Sequence, residues 1–103
     1  MELNVAFGQS LRFLRERNLM AQDNLGPQAF ISRIERGTKE VNLGTVERLA
    51  ERLGMHPLEL FTRAISWQSG RDPVELLRAL ANEIEQRNGE PPRPPRSLTS
   101  PPL

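Results

Sequence analysis

From about Asn4 to Arg17 the apolar residues Phe7, Leu11 and Leu14 recur at helical spacing, with Asn4 as the N-cap. Gly8 weakens this helix without breaking it. A short segment from Met20 to Leu25 ends at Gly26-Pro27, and Pro27 suits the first turn of the next helix, where its missing N–H costs little. That helix is predicted to run to Arg36 and stop at Gly37. Asn42 caps another, Leu43 to Leu53, which carries Val46, Leu49, Ala50 and Leu53 on one face and ends at Gly54. His56-Pro57 opens the next, with Leu58, Leu60 and Phe61 inward and Ile65 as a further inward candidate. After Trp67, Gln68-Ser69-Gly70-Arg71 reads as a loop. Asp72-Pro73 is a cap followed by a first-turn proline, and the helix it starts continues through Val74, Leu77, Leu80 and Ile84 to Asn88-Gly89. No strand-like alternation lies between these caps, so the pattern predicts an all-α fold.

From Glu90 onward the chain is Pro-Pro-Arg-Pro-Pro-Arg-Ser-Leu-Thr-Ser-Pro-Pro-Leu, which holds six of the nine prolines and no apolar pattern to bury. It is expected to be a disordered, polyproline-leaning tail. The expected organisation is a domain over 1–67, a C-terminal helix over 68–89 and the tail over 90–103.

Composition mostly excludes. A chain of 103 residues allows one small domain and a tail. No apolar run approaches the roughly 20 residues of a membrane span, and Met1-Glu2-Leu3-Asn4 lacks the basic and apolar regions of a secretory signal. A cytoplasmic address is therefore expected. There is no cysteine, and His56 is the single histidine, so no thiolate or imidazole metal cluster and no cofactor are expected. Ser32 has no nearby histidine base, and helix capping is the simple role for His56. No Gly-rich phosphate loop or carboxylate pocket is evident, and no enzymatic activity is expected.

Fourteen Lys+Arg against thirteen Asp+Glu leave a net charge of +1, so the chain is no polybasic binder. Lys39 is the only lysine among those cations. Arginine's planar fork suits phosphates, guanine edges and buried carboxylates, although genome composition produces the same bias. Any nucleic-acid role must come from where the charges sit.

The informative stretch is Phe30-Ile31-Ser32-Arg33-Ile34-Glu35-Arg36-Gly37. On a helix Ile31 and Ile34 face one side, while Gln28, Ala29, Ser32, Arg33 and Arg36 fall on the other. Such a face fits the DNA major groove, where Gln pairs with adenine, Arg with guanine, and Ala touches a thymine methyl. On periodicity alone, a solvated amphipathic face explains the same pattern.

Ile31 to Gly37 resembles the recognition helix of lambda-repressor-like, Xre/Cro-type helix-turn-helix domains. Asn42 to Gly54 resembles that family's fourth helix, Pro57-Leu58-Glu59-Leu60-Phe61 its fifth, and Gly8 to Arg17 its first. The resemblance covers roughly Phe7 to Phe61. It implies a five-helix DNA-binding domain whose partner is double-stranded operator DNA, and a bacterial transcription regulator. The sequence departs from the family between the first helix and the recognition helix. There Ala21-Gln22-Asp23-Asn24-Leu25-Gly26 is shorter than the family's second helix by about four residues, roughly one turn.

The resemblance also implies individual roles. Gln22 matches a glutamine that contacts phosphate. Thr38-Lys39 matches a phosphate-contacting loop, with Glu40 weakening the local potential. Arg15 and Glu35 match an interior ion pair, and the pattern agrees, since Arg15 lies one turn after Leu11 and Glu35 follows inward-facing Ile34. Pairing Glu35 in this way leaves Arg33, Arg36 and Lys39 as an uncompensated basic edge.

Val74, Leu77, Leu80, Ala81 and Ile84 form an apolar seam on the last helix. Either it covers the core of its own domain or it joins subunits. The five-helix unit should already close its core, so oligomerisation is expected, as a homodimer with a tetramer as the alternative. Trp67 could anchor the same interface or pack intramolecularly. A repressor is favoured over an activator because the chain offers little room for an activation or sensing domain. The alternatives are an antitoxin-type autoregulator that takes a protein partner through the last helix or tail, and an interaction adaptor that keeps the fold without binding DNA.

Overall fold

Side-chain caps and left-handed residues set most element boundaries in the computed structural model, which describes residues 1–87. The expected tail over 90–103, and the expected helix end at Asn88-Gly89, lie outside the described residues. Helix α1 spans Leu3–Arg17 and a single 3-10 turn spans Gln22–Asn24; then come α2 Gln28–Glu35, α3 Leu43–Leu53, α4 Pro57–Ser69 and α5 Pro73–Gln86. No strand occurs among the described residues.

Asn42 accepts from the Thr45 N–H, His56 from that of Leu58, and Asp72 from those of Val74 and Glu75, so three predicted caps satisfy orphan donors at helix starts. Asn4 does not: α1 begins at Leu3, behind an extended Glu2 that makes no side-chain cap. The expected loop at Gln68-Ser69 is helix instead, and α4 ends only at left-handed Gly70. Between α1 and α2, Leu19 takes a left-handed conformation and Pro27 disfavours helix at the residue before it. The few residues left close one turn, with the Ala21 N–H donating to the Asn24 side chain at 2.7 Å. The second helix of the expected five is thus reduced to that turn.

The core joins Phe7, Leu11 and Leu14 of α1 with Leu25, Ile31 and Ile34 of the next segments, Val46, Leu49 and Ala50 of α3, and Leu60 and Ala64 of α4. Each large side chain buried this way contributes roughly 1.5–3 kcal/mol. Helix α1 packs on both α2 and α4, α3 packs on α4, and α5 packs on α4 from outside the core. Leu58 and Phe61, expected inward, are 45% and 42% exposed, because Leu60 alone of that group points at the core.

Two glycines permit the closest approaches to α2. A Cβ on Gly8 would collide with the Ile34 carbonyl oxygen and reach that of Glu35 at 2.9 Å. Gly37 has φ 75°, and a Cβ there would lie 2.8 Å from Val5 Cγ2. Gly8 is therefore the point at which α1 crosses the last turn of α2.

Helix propensity alone would make Gly8→Ala stabilising by roughly 0.5–1 kcal/mol. The collision with backbone atoms reverses the sign, and a loss of about 1–3 kcal/mol is expected in urea denaturation.

Candidate nucleic-acid interface

Helix α2 has only eight residues, too few to be stable alone, so its geometry comes from packing. Ile31 and Ile34 are each 1% exposed and seat the helix on the core. The opposite face presents Gln28, Ala29 and Arg33 to solvent, with Arg36 just beyond the helix end and Ser32 half-buried at the edge. Gly37 donates its N–H to the Ile34 carbonyl, and Thr38 donates its N–H to that of Arg33, both at 3.0 Å. This pairing closes the helix on a left-handed glycine. The Thr38 hydroxyl also donates to the Arg33 carbonyl, at 3.2 Å. Lys39 is exposed, its ammonium 5.8 Å from the centre of the Phe30 ring. The expected outer face thus sits together on one side of the molecule, and none of its cations joins an ion pair among the described residues.

Arg15 and Glu35 meet as a fork. Arg15 Nε donates to Glu35 Oε2 at 2.6 Å and Nη2 to Oε1 at 3.0 Å, with side-chain exposures of 12% and 4%. Arg15 Nη1 donates to the Met20 carbonyl at 2.8 Å, tying in the chain after α1. Hydrogen bonding to Glu35 raises the Arg15 pKa further above its ordinary value, against the opposing effect of burial. The guanidinium stays charged at any working pH. Glu35 is the one carboxylate within Gln28–Glu35, so the pair removes the only acidic side chain of α2 from its surface.

Gln22, which the resemblance assigns to a phosphate, has an interior partner in the structure: its Nε2 donates to Glu35 Oε1 at 3.0 Å. With the second helix cut to a single turn, Gln22 comes within reach of the interior pair. Its amide N–H thereby completes the carboxylate's shell.

Several neighbours carried no readable signal. Arg48 and Arg52 of α3 share a small concavity with Gly26, Pro27, Phe30 and Ile31 at the start of α2. On the other flank Arg17 and Arg36 line an open cleft with Phe13 and Trp67. Trp67 stacks at a tilt on Phe13, centroids 5.4 Å apart, and its indole N–H donates to Gln9 Oε1 at 2.9 Å. It therefore packs on α1, away from the α5 seam. In that seam Val74, Leu77, Leu80 and Ile84 are 38–53% exposed, and Ala81 is exposed too. Leu77 and Leu80 line a crevice against α4 with Leu58, Phe61 and Leu76. The described chain leaves this face largely uncovered.

With this geometry the comparisons agree. Residues 11–60 match the family model described as helix-turn-helix. The chain is 34% identical over 64 residues to control protein C.BamHI of Bacillus amyloliquefaciens, an alignment covering 56% of this chain and 79% of that protein. No solved structure gives a significant match. The chain belongs to the XRE, lambda-repressor-like helix-turn-helix family. It is a DNA-binding transcriptional regulator of the XRE type.

Truncating Glu35 to Ala leaves Arg15 charged in a nearly buried site. A loss of about 3–5 kcal/mol is expected in thermal or urea unfolding. Replacing both partners at once, Arg15→Met with Glu35→Leu, should cost far less, since no charge is stranded.

Proposed function

We propose that this chain is a bacterial operator-binding repressor that acts as a homodimer on the nucleoid, with α2 inserted in the major groove. The observation that carries this reading is the outer face of α2. Gln28, Ala29 and Arg33 project together from a helix whose only carboxylate is sequestered by Arg15. Arg33 reads a base edge by donating two bonds, Gln28 by donating one through its amide N–H and accepting one at its Oε1, Ala29 meets a thymine methyl, and Ser32 contacts the groove edge. Arg36, Thr38 and Lys39 engage phosphates and set the register. The relative C.BamHI is named a control protein, and that regulatory role is carried over here. The uncovered seam of α5 supports assembly. Two copies joined through Val74, Leu77, Leu80, Ala81 and Ile84 would present two recognition helices to a two-fold site, roughly 34 Å apart.

Selecting bound fragments from a random duplex pool supplies the operator and its symmetry. On that operator, Arg33→Ala should cost about 1–3 kcal/mol at one base pair and relax specificity there, while Lys39→Ala should weaken all sequences alike. Equal losses for Arg33→Ala on operator and random DNA would contradict base readout.

Leu80→Asp places a charge in the middle of the seam. The variant should become monomeric by light scattering, keep its helical circular dichroism, and lose operator affinity sharply. An unchanged oligomer size with a lowered melting temperature would instead assign the seam to the domain's own packing.

A further inference from the structure

Helix α3 carries four exposed charges, Glu47, Arg48, Glu51 and Arg52, in two like-signed pairs spaced four residues apart. Like charges at i, i+4 repel by a few tenths of a kcal/mol, while Arg48 and Glu51, three residues apart, attract by a similar amount. The structure puts Glu47 and the two arginines on different flanks. Glu47 stands beside Asn4 and Pro57, on the side away from α2. Arg48 and Arg52 stand over the start of α2, beside Pro27 and Phe30. Phe30 also has the Lys39 ammonium 5.8 Å from its ring centre, so it links Lys39 to the ridge made by Arg48 and Arg52 on that flank of α2.

The ridge is held open rather than neutralised. Neither arginine joins an ion pair among the described residues. Arg48 Nη2 donates to the Thr45 hydroxyl at 3.2 Å, and that hydroxyl donates to the capping Asn42 Oδ1 at 3.0 Å. Arg52 Nη1 donates to the Asn24 carbonyl at 3.3 Å. Each guanidinium is thus positioned through one nitrogen, with its remaining N–H groups free for an acceptor. Arginine's fork matches the oxygens of a phosphodiester.

We propose that Arg48 and Arg52 are DNA-backbone contacts that clamp the phosphates along the α3 flank of the groove entered by α2. This rests on the DNA-binding reading above and assigns two positioning residues to it. They carry no base specificity and fix how α2 lies in the groove.

The test is the salt dependence of binding for the parent, Arg48→Gln with Arg52→Gln, and Arg48→Lys with Arg52→Lys. The probes are the selected operator fragment and a random-sequence duplex of the same length. For the Gln pair the slope of log K against log salt should fall by about two units on both duplexes, with an unchanged melting curve. Between 50 and 200 mM salt the parent should then lose roughly tenfold more affinity than the Gln pair does. The Lys pair should regain most of the slope, because a phosphate accepts a point charge. If the parent binds both duplexes and the Gln pair keeps the parental slope, the assignment is overturned while DNA binding by α2 stands, and the ridge falls to an acidic protein surface. A lowered melting temperature with an unchanged slope gives the two arginines a structural role only and overturns it as well. A parent that binds neither duplex removes both readings together.

Discussion

The placement of α2 depends on one buried carboxylate. Glu35 sits at the end of a helix too short to persist alone, and it is gripped by Arg15 from α1 and by Gln22 from the intervening turn. Burying such a pair contributes little net stability, since desolvation offsets most of the attraction. Its geometric effect is larger. A planar guanidinium bonded through two nitrogens to a carboxylate constrains both distance and angle between the elements that carry them. Gly8 allows α1 to lie against the last carbonyls of α2, and Gly37 turns the chain away beside Val5. Ile31 and Ile34 supply the apolar contact beneath.

The same pair settles the local electrostatics. A chain with a net charge of only +1 has no general attraction for DNA. Sequestering Glu35 leaves Arg33, Arg36 and Lys39 without an acidic neighbour on α2. Helix α3 extends that separation by turning Glu47 away from α2 and Arg48 and Arg52 towards it. What the molecule presents to a phosphate therefore follows from the arrangement of its charges, and the total is a poor guide.

Local chemistry was legible in the sequence. Asn42, His56 and Asp72 cap helices as their types and positions predict, because a cap needs only a short polar side chain a few bonds from the N–H groups it satisfies. The outer face of α2 was legible for the same kind of reason, since helical spacing fixes which residues share a side. Arg15 and Glu35 came from the family pattern, twenty residues apart along the chain. The bond from Gln22 to Glu35 was not legible, because it depends on how far the preceding turn is shortened. Leu58 and Phe61 were misread because their spacing equally suits a face against a neighbouring helix or one left open. The cost of a side chain at Gly8 is set by carbonyls more than twenty residues away, which no local pattern reveals.

By itself, then, the sequence determined the all-helical class, most helix boundaries and the identity of the outward face of α2, all of which rest on interactions within a few residues. Only the tertiary structure decided that Gln22 bonds Glu35, that Trp67 packs on Phe13 away from α5, and that Arg48 and Arg52 stand beside the start of α2. Those facts depend on where segments distant in the chain cross. The crossing is fixed by close packing and a buried charge pair, whose partners lie far apart in the chain and meet only once the core has closed.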